Sequence, residues 1–291
     1  MAVEVMKTHN LDFCSRPNLR GPRKLSYEAL DLAFSPYIEY WKEMRKICVV
    51  HLFSGVHSIV PSEKTKFLGW YEEEGAERSR FHGMLKESEA MFTGFSFSDY
   101  FPSRGWADRF TGFHTRLEKA FKEHVALYQE LIDEHLDPNR PKPDQEDIVD
   151  VLLRIRKDRD FPFDLIMDHI KAVLMDVFIV GTDTVAVTVA IGRDPETWEN
   201  PEVFCPERFI GNSIDYKGRD FELIPFGAGR RICPGIFMGV AEMEPALANL
   251  LYKFDWEMPN EMSKEDIDFA TVPGLAVHKK NALLLAAYSS M

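Results

Sequence analysis

Apolar residues recur along most of this chain at helical spacing. In EYWKEMRKICVVHLF they fall at Trp41, Met44, Cys48 and Leu52, the three-to-four-residue interval of a buried helix face. RLEKAFKEHVALYQELIDEHL reads as a long amphipathic helix running into the polar, proline-rich DPNRPKPDQED, a loop between helices. EDIVDVLLRIRKD predicts a shorter helix. FDLIMDHIKAVLMDVFIVGTDTVAVTV predicts a long one with Asp164 at its N-cap. After Ala190 the texture changes to Pro, Gly and Asp, the composition of an ordered coil, up to Gly235. Ile236, Val240, Met243, Leu247, Leu250, Leu251 and Phe254 then fall on one face of a final helix. Strand character is confined to GLAVHKKNALLLAAY, where a turn at Lys279–Asn281 would join two short strands. The pattern predicts a mainly α chain with a small β portion, without internal repeats.

Composition narrows this picture. With 291 residues, 45% hydrophobic and 28% charged, the chain can bury a sizeable core. A net charge of −12 and no basic tract argue against nucleic acid as a ligand. The most apolar run, IKAVLMDVFIVGTDTVAVTVAIG, carries Lys171, Asp176 and Asp183, so it reads as a buried helix rather than a bilayer span. MAVEVMKTHNLDF shows no apolar block with a cleavage site. Cys14, Cys48, Cys205 and Cys233 are scattered without C-x-x-C, which speaks against structural zinc, covalent haem attachment and a disulfide framework. The first three read as small core or loop residues in a reducing compartment.

The fourth cysteine stands in PFGAGRRICPG, at the mouth of the final helix. A glycine-rich loop entering a helix could cradle phosphate. The G-K-[ST] ending of a nucleotide loop is missing, however, and Gly239 stands where a phosphatase-type cysteine would need an arginine. A metal thiolate suits the residues better. A helix N-terminus favours negative charge, glycines let backbone approach a flat ligand, and an arginine two residues earlier can meet a carboxylate on that ligand. PFGAGRRICPG resembles the haem loop of the cytochrome P-450 family, F-x-x-G-x-R-x-C-x-G, at Phe226, Gly229, Arg231, Cys233 and Gly235.

The resemblance implies haem b with Cys233 as the axial thiolate on iron, Arg231 at a propionate and Phe226 packed near the sulfur. PEVFCPERF is similar to the segment upstream of the loop, with Pro206, Glu207, Arg208 and Phe209 as its core. WKEMR is similar to the family's W-x-x-x-R, so Trp41 and Arg45 would share a helix face and both reach a propionate. VGTDTV resembles the oxygen-activating segment: Gly181 would leave room for dioxygen, and Asp183 and Thr184 would relay protons, with Val180 and Val185 departing from the pattern. Wider similarity, in SYEALDLAFSPYIEYWKEMRK and FSDYFPSRGWADRFTG, is to plant A-type microsomal members. The implied function is a haem-thiolate monooxygenase that inserts one atom of dioxygen into a small apolar plant metabolite. Its implied partner is an NADPH-cytochrome P-450 reductase, at the cytosolic face of the endoplasmic reticulum membrane.

The implied fold is one partial domain over 1–291. It would comprise a B- and C-helix-like region (1–60), an F- to I-helix-like region (71–190), and the PERF segment, haem loop, L helix and terminal strands (191–291). The family's K-helix E-x-x-R pair, expected to hold Arg208, is matched only by Glu77 and Arg80 in EEEGAERSR, which reads as a solvated face. Thr184 and Pro206 stand 22 positions apart, too few for the K helix and most of the family's sheet. HLFSGVHSIVPSEKTKFLGWYEEEG is a second compressed junction. VEVMKTHNLDFCSRP resembles a region well inside the family fold, so the family's anchor would be missing and a cytosolic location is the counterpart expectation. Pro245 falls inside the final helix. An incomplete fold of this kind leaves two expectations: an active monooxygenase, or a non-catalytic remnant (or incomplete gene model) binding haem weakly or not at all.

Overall fold

The computed structural model describes residues 1–53, 76–141, 146–159, 162–180, 195–201, 203, 205–259, 263, 270–272, 278–281 and 283–289. The junction at 54–75 and the Gly181–Thr184 motif lie outside them. The chain divides into two compact units, Glu4–Thr182 and Asp183–Met291 with Met1–Val3.

In the first unit the helical periods become α1 (Arg20–Leu25), α2 (Glu39–Ile47), α3 (Ala76–Thr93), α4 (Phe113–Leu136), α5 (Ile148–Asp158) and α6 (Met167–Met175). The spine is α4. It buries Phe113, Leu117, Ala120, His124, Leu127, Tyr128, Leu131 and Ile132, a stripe at three- and four-residue steps, and α1, α3, α5 and α6 pack against it. Two glycines permit the close approach of α1, α3 and α4. A Cβ on Gly21 would run into the Met91 carbonyl, and one on Gly94 would come within 2.7 Å of the Phe113 ring. The four positions expected to face inward on α2 and its π-helical continuation Cys48–Leu52 do so: Trp41, Met44, Cys48 and Leu52 are all buried.

The α4–α5 loop is tied by charge. Asp147 caps α5, accepting the Val149 and Asp150 N–H groups at 2.9 and 3.0 Å, while Asp150 accepts the Asp147 N–H at 3.2 Å. From the last turn of α4, His135 places Nε2 2.8 Å from Asp147 Oδ2 and Nδ1 2.8 Å from the Leu131 carbonyl. Two acceptors on one ring require both nitrogens to donate, the imidazolium form. Burial opposes that charge, but the Asp147 carboxylate outweighs it and raises the His135 pKa. Burial likewise opposes the Asp147 charge, and the His135 bond outweighs it and lowers that pKa.

Helix α6 corrects the expected N-cap. Asp164 lies exposed in coil, and Ile166 holds the cap position with extended backbone, its N–H donated to His169 Nδ1 at 3.2 Å. A ring one turn in thus takes up a donor that a cap side chain would leave to water. Ile170, Ala172, Val173, Leu174 and Met175 are buried, as the reading of this run as a core helix requires. The helix then widens into a π-helical turn, Asp176–Val180. Among the described residues no helix is long and apolar enough to cross a membrane.

The second unit has short 3-10 turns at Pro206–Phe209 and Gly229–Arg231, then α7 (Ile236–Lys253), which continues through Pro245. The expected apolar face divides: Ile236 is buried, whereas Leu247, Leu250 and Leu251 are exposed, and Phe254 belongs to a strand. The strands are β1 (Phe254–Glu257), β2 (Thr271–Val272), β3 (His278–Lys279) and β4 (Ala286–Ser289). The hairpin expected across Lys279–Asn281 does not form. β3 pairs antiparallel with β2, and the Lys280 N–H extends that ladder to the Ala270 carbonyl at 2.7 Å. β4 pairs antiparallel with β1, Phe254 opposite Ser289 and Glu257 opposite Ala286. Each strand meets a partner upstream of the predicted turn, a choice that local turn chemistry does not encode.

Replacing Gly21 by Ala is expected to lower stability by about 1–3 kcal/mol through overpacking against Met91. Gly83→Ala, on α3 with open space around it, should hold or raise stability by up to about 1 kcal/mol; denaturant titration of both compares them. The His135 stabilisation should be full below pH ~6.5 and disappear as pH rises through its raised folded pKa, so thermal melts should show that loss in the native chain and not in His135→Gln.

Candidate functional site

The Pro225–Gly235 loop is built largely from backbone. Gly227 closes a turn on the Ile224 carbonyl at 2.9 Å with φ +70°, and Gly229 opens the 3-10 turn at φ +68°. That turn brings the chain back so that the Cys233 N–H donates to the Phe226 carbonyl at 2.9 Å, and Gly239 N–H to Gly235 carbonyl at 2.8 Å begins the ladder of α7. Gly218, at φ +75°, lies against the loop from outside: a Cβ there would come within 2.8 Å of the Gly227 carbonyl oxygen and 2.9 Å of Ile232. The Phe226 ring stands 3.6 Å from where a Gly239 Cβ would be, and edge-on to Tyr216.

Cys233 is half-buried, outside any disulfide, and stands just ahead of the α7 N-terminus. Its Sγ lies 4.0 Å from the position of an absent Gly235 Cβ, so the flank of the sulfur is clear of side chain. Arg231 is half-buried and Arg230 exposed. Phe226, Gly229, Arg231, Cys233 and Gly235 therefore form one constellation. A single soft thiol beside glycines, on a backbone pinned by the Cys233 N–H and just ahead of a helix N-terminus, fits a thiolate-bound haem iron.

The second candidate group lies in the other unit. Trp41 and Arg45 do share one face of α2, and the half-buried Arg45 guanidinium lies 5.4 Å from the Trp41 ring centroid. The Trp41 indole N–H donates to the Leu32 carbonyl at 2.9 Å. An indole has one donor, so in this arrangement Trp41 acts as a platform for Arg45, and its N–H joins the segment ahead of α2 to the helix. Gly181, Asp183 and Thr184 lie outside the described residues, as do the side chains of Glu77 and Arg80 in the first turn of α3.

Arg208, for which the sequence offers no K-helix E-x-x-R pair, finds partners locally. Its Nε donates to the Cys205 carbonyl at 3.1 Å, and Nη2 to the Val203 and Asn200 carbonyls at 2.8 and 3.3 Å. Its guanidinium also lies 5.7 Å from the ring centroid of buried Trp198. Sequence reasoning missed one constellation altogether: His135, Asp147 and Asp150 are close enough to suggest a metal centre. Arg140 is paired with both aspartates, at 3.4 Å to Asp147, and His135 and the α5 N–H groups take the remaining oxygens, so the cluster is a structural tie. The D-x-x-D spacing of Asp147 and Asp150 was its legible trace.

A family model of cytochrome P-450 matches residues 68–192 and 187–286. The chain belongs to the cytochrome P-450 family. By family it is an oxidoreductase of the monooxygenase class, whose cofactor is haem bound through a cysteine thiolate. It is 36% identical to 5-OH-xanthotoxin synthase of Pastinaca sativa, over 98% of this chain and 82% of that protein. It is 35% identical to 6,7,8-trihydroxycoumarin synthase of the same plant, with the same coverage. The fold is similar to that of a zebra fish cytochrome P-450 with progesterone, at TM-score 0.62 and 16% identity, covering 99% of this chain and 90% of that one. The alignment to the first plant relative runs over 416 positions. Against 291 residues, that leaves at least 125 positions without a counterpart here. The fold is thus an incomplete form of the family's.

Trp41→Phe keeps a ring under Arg45 but removes the indole donor to the Leu32 carbonyl. It is expected to cost about 1–3 kcal/mol, measurable as a lower midpoint in urea.

Proposed function

We propose that this chain is a haem-thiolate monooxygenase of small, mostly apolar plant metabolites, with Cys233 as the axial ligand. The closed Phe226–Cys233 turn is the single observation that carries the reading, because it holds a cysteine on a glycine-rich backbone just ahead of a helix N-terminus. Arg231 would meet a haem propionate, and Arg45, braced on Trp41, is the arginine of the family's W-x-x-x-R, to which the resemblance gives the same role. Phe226 shields the sulfur, and Gly229 and Gly235 let backbone come close. When bound, haem supplies the activation of dioxygen, with electrons from an NADPH-dependent reductase; one oxygen atom enters the substrate and the other leaves as water. By the family resemblance, Gly181 would leave room for dioxygen, and Asp183 and Thr184 would relay protons. The two plant relatives are named for hydroxylated products, 5-OH-xanthotoxin and 6,7,8-trihydroxycoumarin, which makes coumarin-type compounds a substrate class to try first. The family's usual location at the cytosolic face of the endoplasmic reticulum is part of this proposal.

The second reading, a remnant that binds haem weakly or not at all, draws on a different observation. At least 125 aligned positions of the first relative have no counterpart here, and Arg208 is bound to local carbonyls. Purified chain supplied with haem, reduced under carbon monoxide, distinguishes the two. The first reading expects the red-shifted Soret band of a thiolate-ligated iron, lost in Cys233→Ser. Persistence of that band in Cys233→Ser would refute the ligand assignment. Its absence from the native chain would support the remnant, and turnover of a coumarin-type substrate with reductase and NADPH would exclude it.

A further inference from the structure

Two carboxyl groups face one another inside the first unit. Asp31 lies in the non-helical segment ahead of α2 and is fully buried. Asp176 opens the π-helical turn after α6; the residue as a whole is half-buried, but its Oδ1 is closed off from solvent. Each carboxyl takes a backbone donor at Oδ2, from Leu32 to Asp176 at 2.6 Å and from Phe34 to Asp31 at 2.9 Å. Each leaves Oδ1 buried without a donor, and the two side chains are within hydrogen-bonding reach of one another.

Among the described residues the groups that face the pair supply no countercharge. Tyr40 and Cys48 face the pair from α2 and its continuation, Tyr128 faces Asp176 from α4, and Tyr27 lies beside Tyr128. Burial raises all four, keeping them neutral at physiological pH. Arg45 acts on Cys48 and Asp168 on Tyr27. Among the described residues neither Asp31 nor Asp176 has an ion-pair partner. Two bare carboxylates in such a place would repel one another and leave both Oδ1 atoms unsatisfied. One proton turns one of them into an O–H donor to the other.

We infer that Asp31 and Asp176 share one proton at neutral pH, an acid–carboxylate clasp that joins the segment ahead of α2 to the π-helical turn of α6 and loosens when that proton is lost in alkali. Burial raises the Asp31 carboxyl to about 6, and burial together with the neighbouring Asp31 charge holds Asp176 well above the carboxylate range. The sign follows: folded pKa values raised above the unfolded value near ~4 mean that stability falls as pH rises from there through the folded values.

The test needs no haem and is independent of the proposed function. Infrared spectra of the full chain labelled with carboxyl-13C aspartate should show a protonated aspartic acid carbonyl band at pH 7 that declines only in alkali. Asp176→Asn, which keeps a neutral donor at the site, should lose the band. Its folding equilibrium constant relative to the native chain should rise at least tenfold between pH 4 and 9. Lack of an acid band in the native chain at pH 7, or a stability difference independent of pH, would overturn the inference. Should Asp176→Asn not fold, the pH titration of the native band decides alone.

Discussion

The first unit has to bend its chain where no helix satisfies the backbone, and it turns the stranded N–H groups onto buried carboxylates. Asp147 receives Val149 and Asp150 at the start of α5, Asp108 receives Phe97 and Ser98 in the turn after α3, and Asp31 and Asp176 receive Phe34 and Leu32 ahead of α2. A backbone donor carries no full charge, so each carboxylate must settle its charge in another way. Asp147 does so with His135 and Arg140, and Asp108 adds the Ser96 hydroxyl to its donors. Among the described residues Asp31 and Asp176 have no ion-pair partner. The packing of α1, α3, α5 and α6 on α4 depends on these loops being held.

The haem loop solves the reverse problem. There a side chain must be presented, and backbone does the holding. Gly227 and Gly229 adopt left-handed φ values that β-carbons disfavour, and Gly218 admits the neighbouring turn at a distance no side chain would allow. The 2.9 Å bond from the Cys233 N–H to the Phe226 carbonyl sets where the sulfur stands. The same economy appears at Trp41, whose indole N–H joins Leu32 to α2 while its face carries Arg45.

Much of this was legible beforehand. The stripe of α4, the inward positions of α2 and the buried run of α6 follow from apolar spacing, because a helix with one wet face has one way to turn. The loop residues Phe226, Gly229, Arg231, Cys233 and Gly235 stood out for a different reason: small residues and a cation at set offsets from a cysteine suit a thiolate ligand. What escaped was non-local. Ile166 rather than Asp164 begins α6 because His169, one turn further on, takes its N–H. β3 and β4 find partners upstream instead of each other. Arg208 is held by carbonyls within eight residues and by Trp198.

By itself, the sequence determined the helical class of the chain, the inward faces of α2, α4 and α6 and the candidacy of Cys233, since periodicity and ligand spacing are local properties of neighbouring residues. Tertiary structure alone decided which carboxylates stand without a countercharge, which strands pair and where the Trp41 donor points. Those depend on the distance between segments far apart in the chain: Asp31 and Asp176 are ordinary aspartates until folding brings them face to face and removes the water between them.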